Sequence, residues 1–194
     1  EQPNPGMMGI YDDSFIEESK KLTDMVHNYN ANIIMQIVYG GFMTKFNVGK
    51  RTIWGPSTIE NEVTKTVAKE ITKDEIKYLV KAYADAALRV KKSGFDGVEI
   101  HAGHGYFLSQ FLSPYYNKRN DEYGGSIENR GRIIFEIFEA MRKAVGKDFP
   151  ILIKLNSADY VKEGGLTQED SLYVARKLSE RGIDAIDVPG GNES

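Results

Sequence analysis

His101 and His104 are two of only three histidines in the chain, and Tyr106 follows two residues later, within the stretch GVEIHAGHGY at residues 97–106. A short apolar run ends in His101, and Gly103 and Gly105 let the chain turn tightly and let a ligand approach the backbone. Titratable groups gathered at the end of a buried strand are costly, so they usually serve chemistry. Two imidazole N–H groups that reach one small group bind a carbonyl, carboxylate or nitro oxygen and draw electron density from it. If the turn is helical, the three-residue spacing points both rings the same way. Tyr106 offers a phenolic proton beside them. On the residues alone two other readings stay open. His101 and His104 could ligate a metal in a barrel hydrolase, although no cysteine or further histidine lies near as a third ligand. Both rings could equally do no more than satisfy backbone groups at the strand end.

Two more polar residues interrupt apolar runs. Gln36 lies inside ANIIMQIVY at residues 31–39, and Lys154 lies inside PILIKLN at residues 150–156. Gln36 could bond its own sheet, or contact a ring edge that carries both donors and acceptors. A buried lysine needs a negative partner. Lys154 could form a plain ion pair with Asp159 or Asp187, or stabilise an anionic cofactor or intermediate. Arg130 and Arg132, which follow the loop DEYGGS, read as braces of that loop through charge-assisted hydrogen bonds.

The elements that must position these residues alternate. Asp12, Asp13 and Ser14 precede a helix over residues 15–28, with His27 near its end. A strand follows over 31–39. Residues 40–69 show no clear period and read as a long loop, of a length that is often functional. Thr72 and Glu75 form a capping-box pattern for a helix running to about Lys92, with Ile76, Leu79, Val80, Tyr83, Ala87 and Val90 on its buried face. The strand at 97–101 comes next, then a second long loop or broken helix over 105–126. A helix over 128–145, a strand over 150–156, a helix capped by Thr167 over 168–180 and a strand over 183–188 complete the order. Helix and strand in alternation imply parallel strands with right-handed crossovers. The notable polar residues fall at strand ends or in the loops beyond, where the sites of (β/α)8 barrels and of doubly wound sheets both lie.

The chain has 194 residues, 41% hydrophobic and 27% charged, which suits one globular segment with a sizeable core. A formal charge of −3 and dispersed lysine and arginine argue against a nucleic-acid partner. No apolar run reaches the length of a membrane span. The absence of cysteine removes disulfides, thiolate nucleophiles and cysteine-bound clusters from this segment, and fits a cytoplasmic setting. The chain opens without Met in a Pro/Gly-rich stretch and stops just after a strand, so both ends are expected to cut through a larger protein. Four strands do not close a barrel. A half barrel would leave two open sheet edges and an uncovered interior.

GFDGVEIHAGHGYFLSQFLSP, followed by NKRNDEYGGSIENRGR, strongly resembles the old yellow enzyme family of flavin-dependent oxidoreductases, nearest its bacterial ene-reductase and dienoyl- or enoate-reductase-like branches. FPILIKLNSADY and IDAIDVPGG carry the likeness on, so that it covers most of residues 10–191. The resemblance implies an α/β fold: residues 1–194 as the central part of an FMN-binding (β/α)8 barrel, from about the second helix to the sixth strand. It implies non-covalent FMN, reduced by NADH or NADPH, and hydride transfer to a small activated alkene or enone. By the same resemblance Gln36 contacts the flavin ring edge. Lys154 stands where the family usually has arginine, near the flavin N1–C2 region; the charge is kept and the planar fork lost. His101 and His104 bind the substrate oxygen, and Tyr106 protonates the alkene carbon beside the electron-withdrawing group. No metal is expected in this segment, and any iron–sulfur cluster of longer relatives lies outside it. Tyr39-Gly40-Gly41 departs from the family's common His-Ala-Gly-Arg, so substrate preference does not carry over. A homo-oligomer of the full-length protein is compatible with the resemblance. The alternative is that the chain is a non-catalytic half-barrel unit that does not bind FMN alone.

Overall fold

The structure is a computed structural model that describes residues 4–61, 63–161 and 163–191. In chain order the elements are α1 (Phe15–His27), β1 (Ile34–Ile37), a short 3-10 turn (Gly41–Met43), β2 (Trp54–Gly55), β3 (Ile59–Glu60), β4 (Val67–Glu70), α2 (Lys73–Lys92), β5 (Gly97–Ala102), α3 (Phe107–Leu112), α4 (Ile127–Arg130), α5 (Arg132–Val145), β6 (Ile151–Leu155), α6 (Gln168–Glu180) and β7 (Ala185–Asp187). The main sheet has the order β1-β5-β6-β7 and is parallel throughout. This is the alternating α/β architecture expected from the sequence.

The two faces of that sheet are unlike. One face carries Ile37, Val98, Ile100, Ile151 and Ile153, all buried against the helices. α2 packs on it through Ile76, Leu79, Tyr83, Ala87 and Val90, and α5 through Ile133, Ile134, Ile137, Phe138 and Met141. Each of the larger side chains removed from water contributes roughly 1.5–3 kcal/mol before the entropy of ordering is subtracted. Val80, expected on the buried face of α2, is half-buried. The capping boxes form at Thr72 with Glu75 and at Thr167 with Asp170. The opposite face of the sheet carries Gln36, Glu99, Lys154 and Asp187, and no described helix covers it.

Three expectations are corrected. The segment 40–69 is not simply a loop: it holds the 3-10 turn and a small sheet of order β2-β4-β3. Strands of two to four residues are too short to show a period, which is why they escape a pattern reading. The helix expected over 128–145 begins earlier and is divided at Gly131 into α4 and α5. The strands at 31–39 and 183–188 shrink to their central residues. At the first, Ile33 is engaged by the aspartate that precedes β5: its N–H donates to Asp96 Oδ2 at 2.7 Å, and its carbonyl accepts from the Asp96 N–H at 2.9 Å.

The same device recurs one unit on. Asp184 Oδ2 accepts from the Ile151 N–H at 2.8 Å, and the Asp184 N–H donates to the Ile151 carbonyl at 3.1 Å. His27 of α1 meets Asp96 at 2.9 Å, and Arg142 of α5 meets Asp184 at 2.5 Å. Each clamp ties a helix to the start of the strand pair beneath it.

Candidate active site

The site is assembled at the carboxyl ends of β1, β5, β6 and β7. His101 lies near the end of β5 and is 7% exposed. The Gly103 N–H donates to its Nδ1 at 3.2 Å. With Nδ1 accepting, the neutral ring carries its proton on Nε2. Burial is the largest cause that lowers the His101 pKa to about 4; His104 and Lys154 push the same way, and Asp187 opposes them. At neutral pH His101 is thus an uncharged N–H donor.

His104 does not sit on a helical turn. Its φ is 56°, and Gly105 follows at 74°, so the backbone turns through the left-handed region at both residues. The His104 N–H donates to Asn156 Oδ1 at 3.0 Å, which pins this unusual turn to the end of β6. The rings are therefore not aligned by a helical turn, yet they still meet. His101 and His104 stand edge to face with centroids 5.3 Å apart, and His101 and Tyr106 have centroids 4.8 Å apart. Three hydrogen-bonding rings therefore converge at one strand end. Tyr106 is also the N-cap residue of α3, whose six residues are all buried, so its backbone is firmly seated.

Gln36 and Lys154 join this group through the register. Gln36 pairs with Glu99, and His101 pairs with Lys154. Glu99 and His101 are two apart on β5, so all four side chains share one face. The Gln36 amide donates to Glu99 Oε2, and the Lys154 ammonium is paired with Asp187 Oδ2. Asp159, the other candidate for Lys154, instead accepts the Leu166 N–H at 2.8 Å. Among the described residues no three His, Cys, Asp or Glu side chains converge as metal ligands, so His101 and His104 gain no third partner there.

Reasoning from sequence missed Asn156 and Glu99. Both carried the same signal as Lys154, a polar residue in or just after an apolar strand run. Arg130 and Arg132 brace loops as expected: Arg130 Nε donates to the Leu112 carbonyl at 2.6 Å and Nη2 to Asp170 at 2.8 Å, while Arg132 Nε donates to the Glu122 carbonyl at 2.8 Å. Tyr39, where the expected His-Ala-Gly-Arg pattern is lost, joins layers. The Trp54 N–H donates to its hydroxyl at 3.1 Å, and its own N–H donates to the Tyr83 hydroxyl at 3.1 Å.

A run of parallel strands wrapped on one side by helices, with a polar face opposite and titratable groups at the strand ends, defines part of an α/β enzyme barrel. The chain belongs to the NADH:flavin oxidoreductase / NADH oxidase family, whose model matches residues 3–190. It is 38% identical over 184 residues to an NADPH dehydrogenase of Bacillus licheniformis, covering 95% of this chain and 52% of that one. Among solved structures, a 2-naphthoyl-CoA reductase complex has a TM-score of 0.89 at 32% identity, covering 97% of this chain and 30% of that one. An old yellow enzyme homologue from Zymomonas mobilis has a TM-score of 0.83 at 30% identity, covering 93% and 54%. The old yellow enzyme resemblance, carried chiefly by residues 94–132, is thereby borne out. The chain spans about half the length of the NADPH dehydrogenases it matches.

The family's name calls for a flavin, and the donor set on the open face suits one. A flavin's pyrimidine edge presents carbonyl oxygens and ring nitrogens; Gln36 offers an amide and Lys154 a cation on the same face as the His101 donor.

Proposed function

We propose that this chain is the central part of an FMN-dependent oxidoreductase barrel of the ene-reductase type, acting on a small activated alkene or enone. The observation that carries the reading is the neutral His101 donor with the His104 and Tyr106 rings around it, beside the face that holds Gln36 and Lys154. Gln36 and Lys154 would hold the polar edge of the flavin. When bound, FMN supplies hydride chemistry, linking NADH or NADPH to the substrate.

The chain's own residues do the rest. The Nε2–H of His101 donates to the carbonyl-type oxygen of the substrate, and His104 donates to the same oxygen. Because His101 is uncharged, it binds that oxygen without giving up a proton and stabilises the charge that develops on it. Asn156 keeps His104 in place through the backbone. Tyr106 gives its phenolic proton to the carbon beside the electron-withdrawing group.

In the full-length protein, His101→Ala with His104→Ala should weaken phenol and enone binding by at least tenfold; unchanged affinity and turnover would sink the assignment. Tyr106→Phe should slow the oxidative half-reaction by 10²-fold or more, the usual scale of a lost proton donor, while reduction by NAD(P)H stays within about twofold. Stopped-flow absorbance separates the two halves, and equal loss in both would argue against a proton donor.

A further inference from the structure

Lys154 is accompanied at its level of the sheet. His101, Lys154 and Asp187 are register partners across three neighbouring strands. The lysine side chain is 20% exposed and the Asp187 side chain 48%, and the two form an ion pair. The half-exposed carboxylate is screened by water, so the pair offsets part of the cost of burying the lysine and contributes about 1 kcal/mol or less beyond that. The carboxylate's place beside the one cation on this face, among the described residues, suggests a further use.

A cation against a flavin favours the electron-rich reduced ring over the neutral oxidised ring. A carboxylate in contact with that cation turns a point charge into a short dipole, whose field falls off faster. We propose that Asp187 is a positioning residue that sets the net charge Lys154 presents to the flavin, and so keeps the reduction potential below the value an unpaired lysine would give. The proposal rests on the reading of Lys154 as a flavin-side cation. The same opposition is visible at His101, where Lys154 disfavours protonation and Asp187 favours it.

The test is the midpoint potential of the flavin in the full-length, FMN-loaded protein, measured by equilibration with reference dyes. Asp187→Asn and Asp187→Ala should both shift it upward, and Asp187→Glu should hold it near the wild-type value. A wild-type or lowered potential in the two neutral variants would overturn the proposal. So would loss of folding in both while Asp187→Glu folds, because the carboxylate would then be structural. Lys154→Met tells the two levels apart. It should lower the potential; no change there would remove the reading of Lys154 and the proposal with it. A drop in Lys154→Met without a rise in Asp187→Asn would remove the proposal alone.

Discussion

His101 shows how one side chain is prepared by its neighbours. The glycine at 103 gives it a backbone N–H to accept, which selects the tautomer, and burial keeps it uncharged. Folding is thereby linked to pH. Between the ordinary histidine value of 6.5 and about 4, the unfolded chain binds a proton that the native ring refuses. The stability held by this group is complete above pH 6.5 and is lost as pH falls toward 4, by roughly 3 kcal/mol at most. Urea midpoints of the full-length protein measured from pH 4 to 7 should fall less steeply for His101→Asn than for wild type. Equal slopes would mean that the ring titrates normally. The residue types here were legible: histidines, a tyrosine, and a glutamine and a lysine out of place in apolar runs. Their partners were legible only in part: Asp187 was one of two candidates for Lys154 and is the one it meets, whereas Glu99 was not singled out for Gln36. Glu99 and Asp187 are distant in sequence from Gln36 and Lys154, and only register brings them side by side.

Elements were legible in proportion to their length. The twenty residues of α2 and the thirteen of α6 carry capping boxes, and α2 adds a clear apolar stripe. The small sheet carries no such mark, because its strands are only two to four residues long. Arg119 ties its flanks together. Its side chain is 4% exposed. Nη1 donates to the Pro56 carbonyl at 3.1 Å and to the Ile71 carbonyl at 2.7 Å, while Nε and Nη2 bind Asp121 at 3.0 and 2.6 Å. The loop is closed tightly over it: a Cβ at Gly124 would stand 2.2 Å from the Arg119 carbonyl oxygen. Arg119→Met would leave Asp121 with only the Tyr123 N–H and remove the donor from two carbonyls, at a cost of about 3–5 kcal/mol. Hydrogen exchange in the full-length protein should then speed up over residues 54–71 and stay slow in β5 and β6. Uniform acceleration would mean that the small sheet is not an independent unit.

Over the whole molecule the covered and open faces of the main sheet set the limits of what this chain does. β1 pairs only with β5 and β7 only with β6, among the described residues, so two edges are unpaired. Ile34 is 44% exposed and Val188 61%, and a cavity of about 840 Å³ runs beside β1, lined by Met35, Leu79, Tyr83 and Phe95. On the proposed reading, Gln36 and Lys154 would grip a flavin from one side only. The chain of 194 residues, prepared alone, should therefore bind FMN at least 100-fold more weakly than the full-length protein. Fluorescence titration measures this, and a stoichiometrically yellow preparation of the isolated chain would contradict it. No described helix is long and apolar enough to cross a membrane.

From the sequence alone came the alternation of helix and strand and the residue types of the site, because each is written in local composition and spacing; the family came from the likeness of the long motif around His101. The tertiary structure alone decided how those residues are arranged. It placed His104 on a left-handed turn instead of a helical one. It made His101 a neutral donor, and it matched Gln36 and Lys154 each with a carboxylate on the neighbouring strand. Burial, tautomer and ion pairing depend on atoms brought together from distant parts of the chain, and no local pattern encodes that proximity.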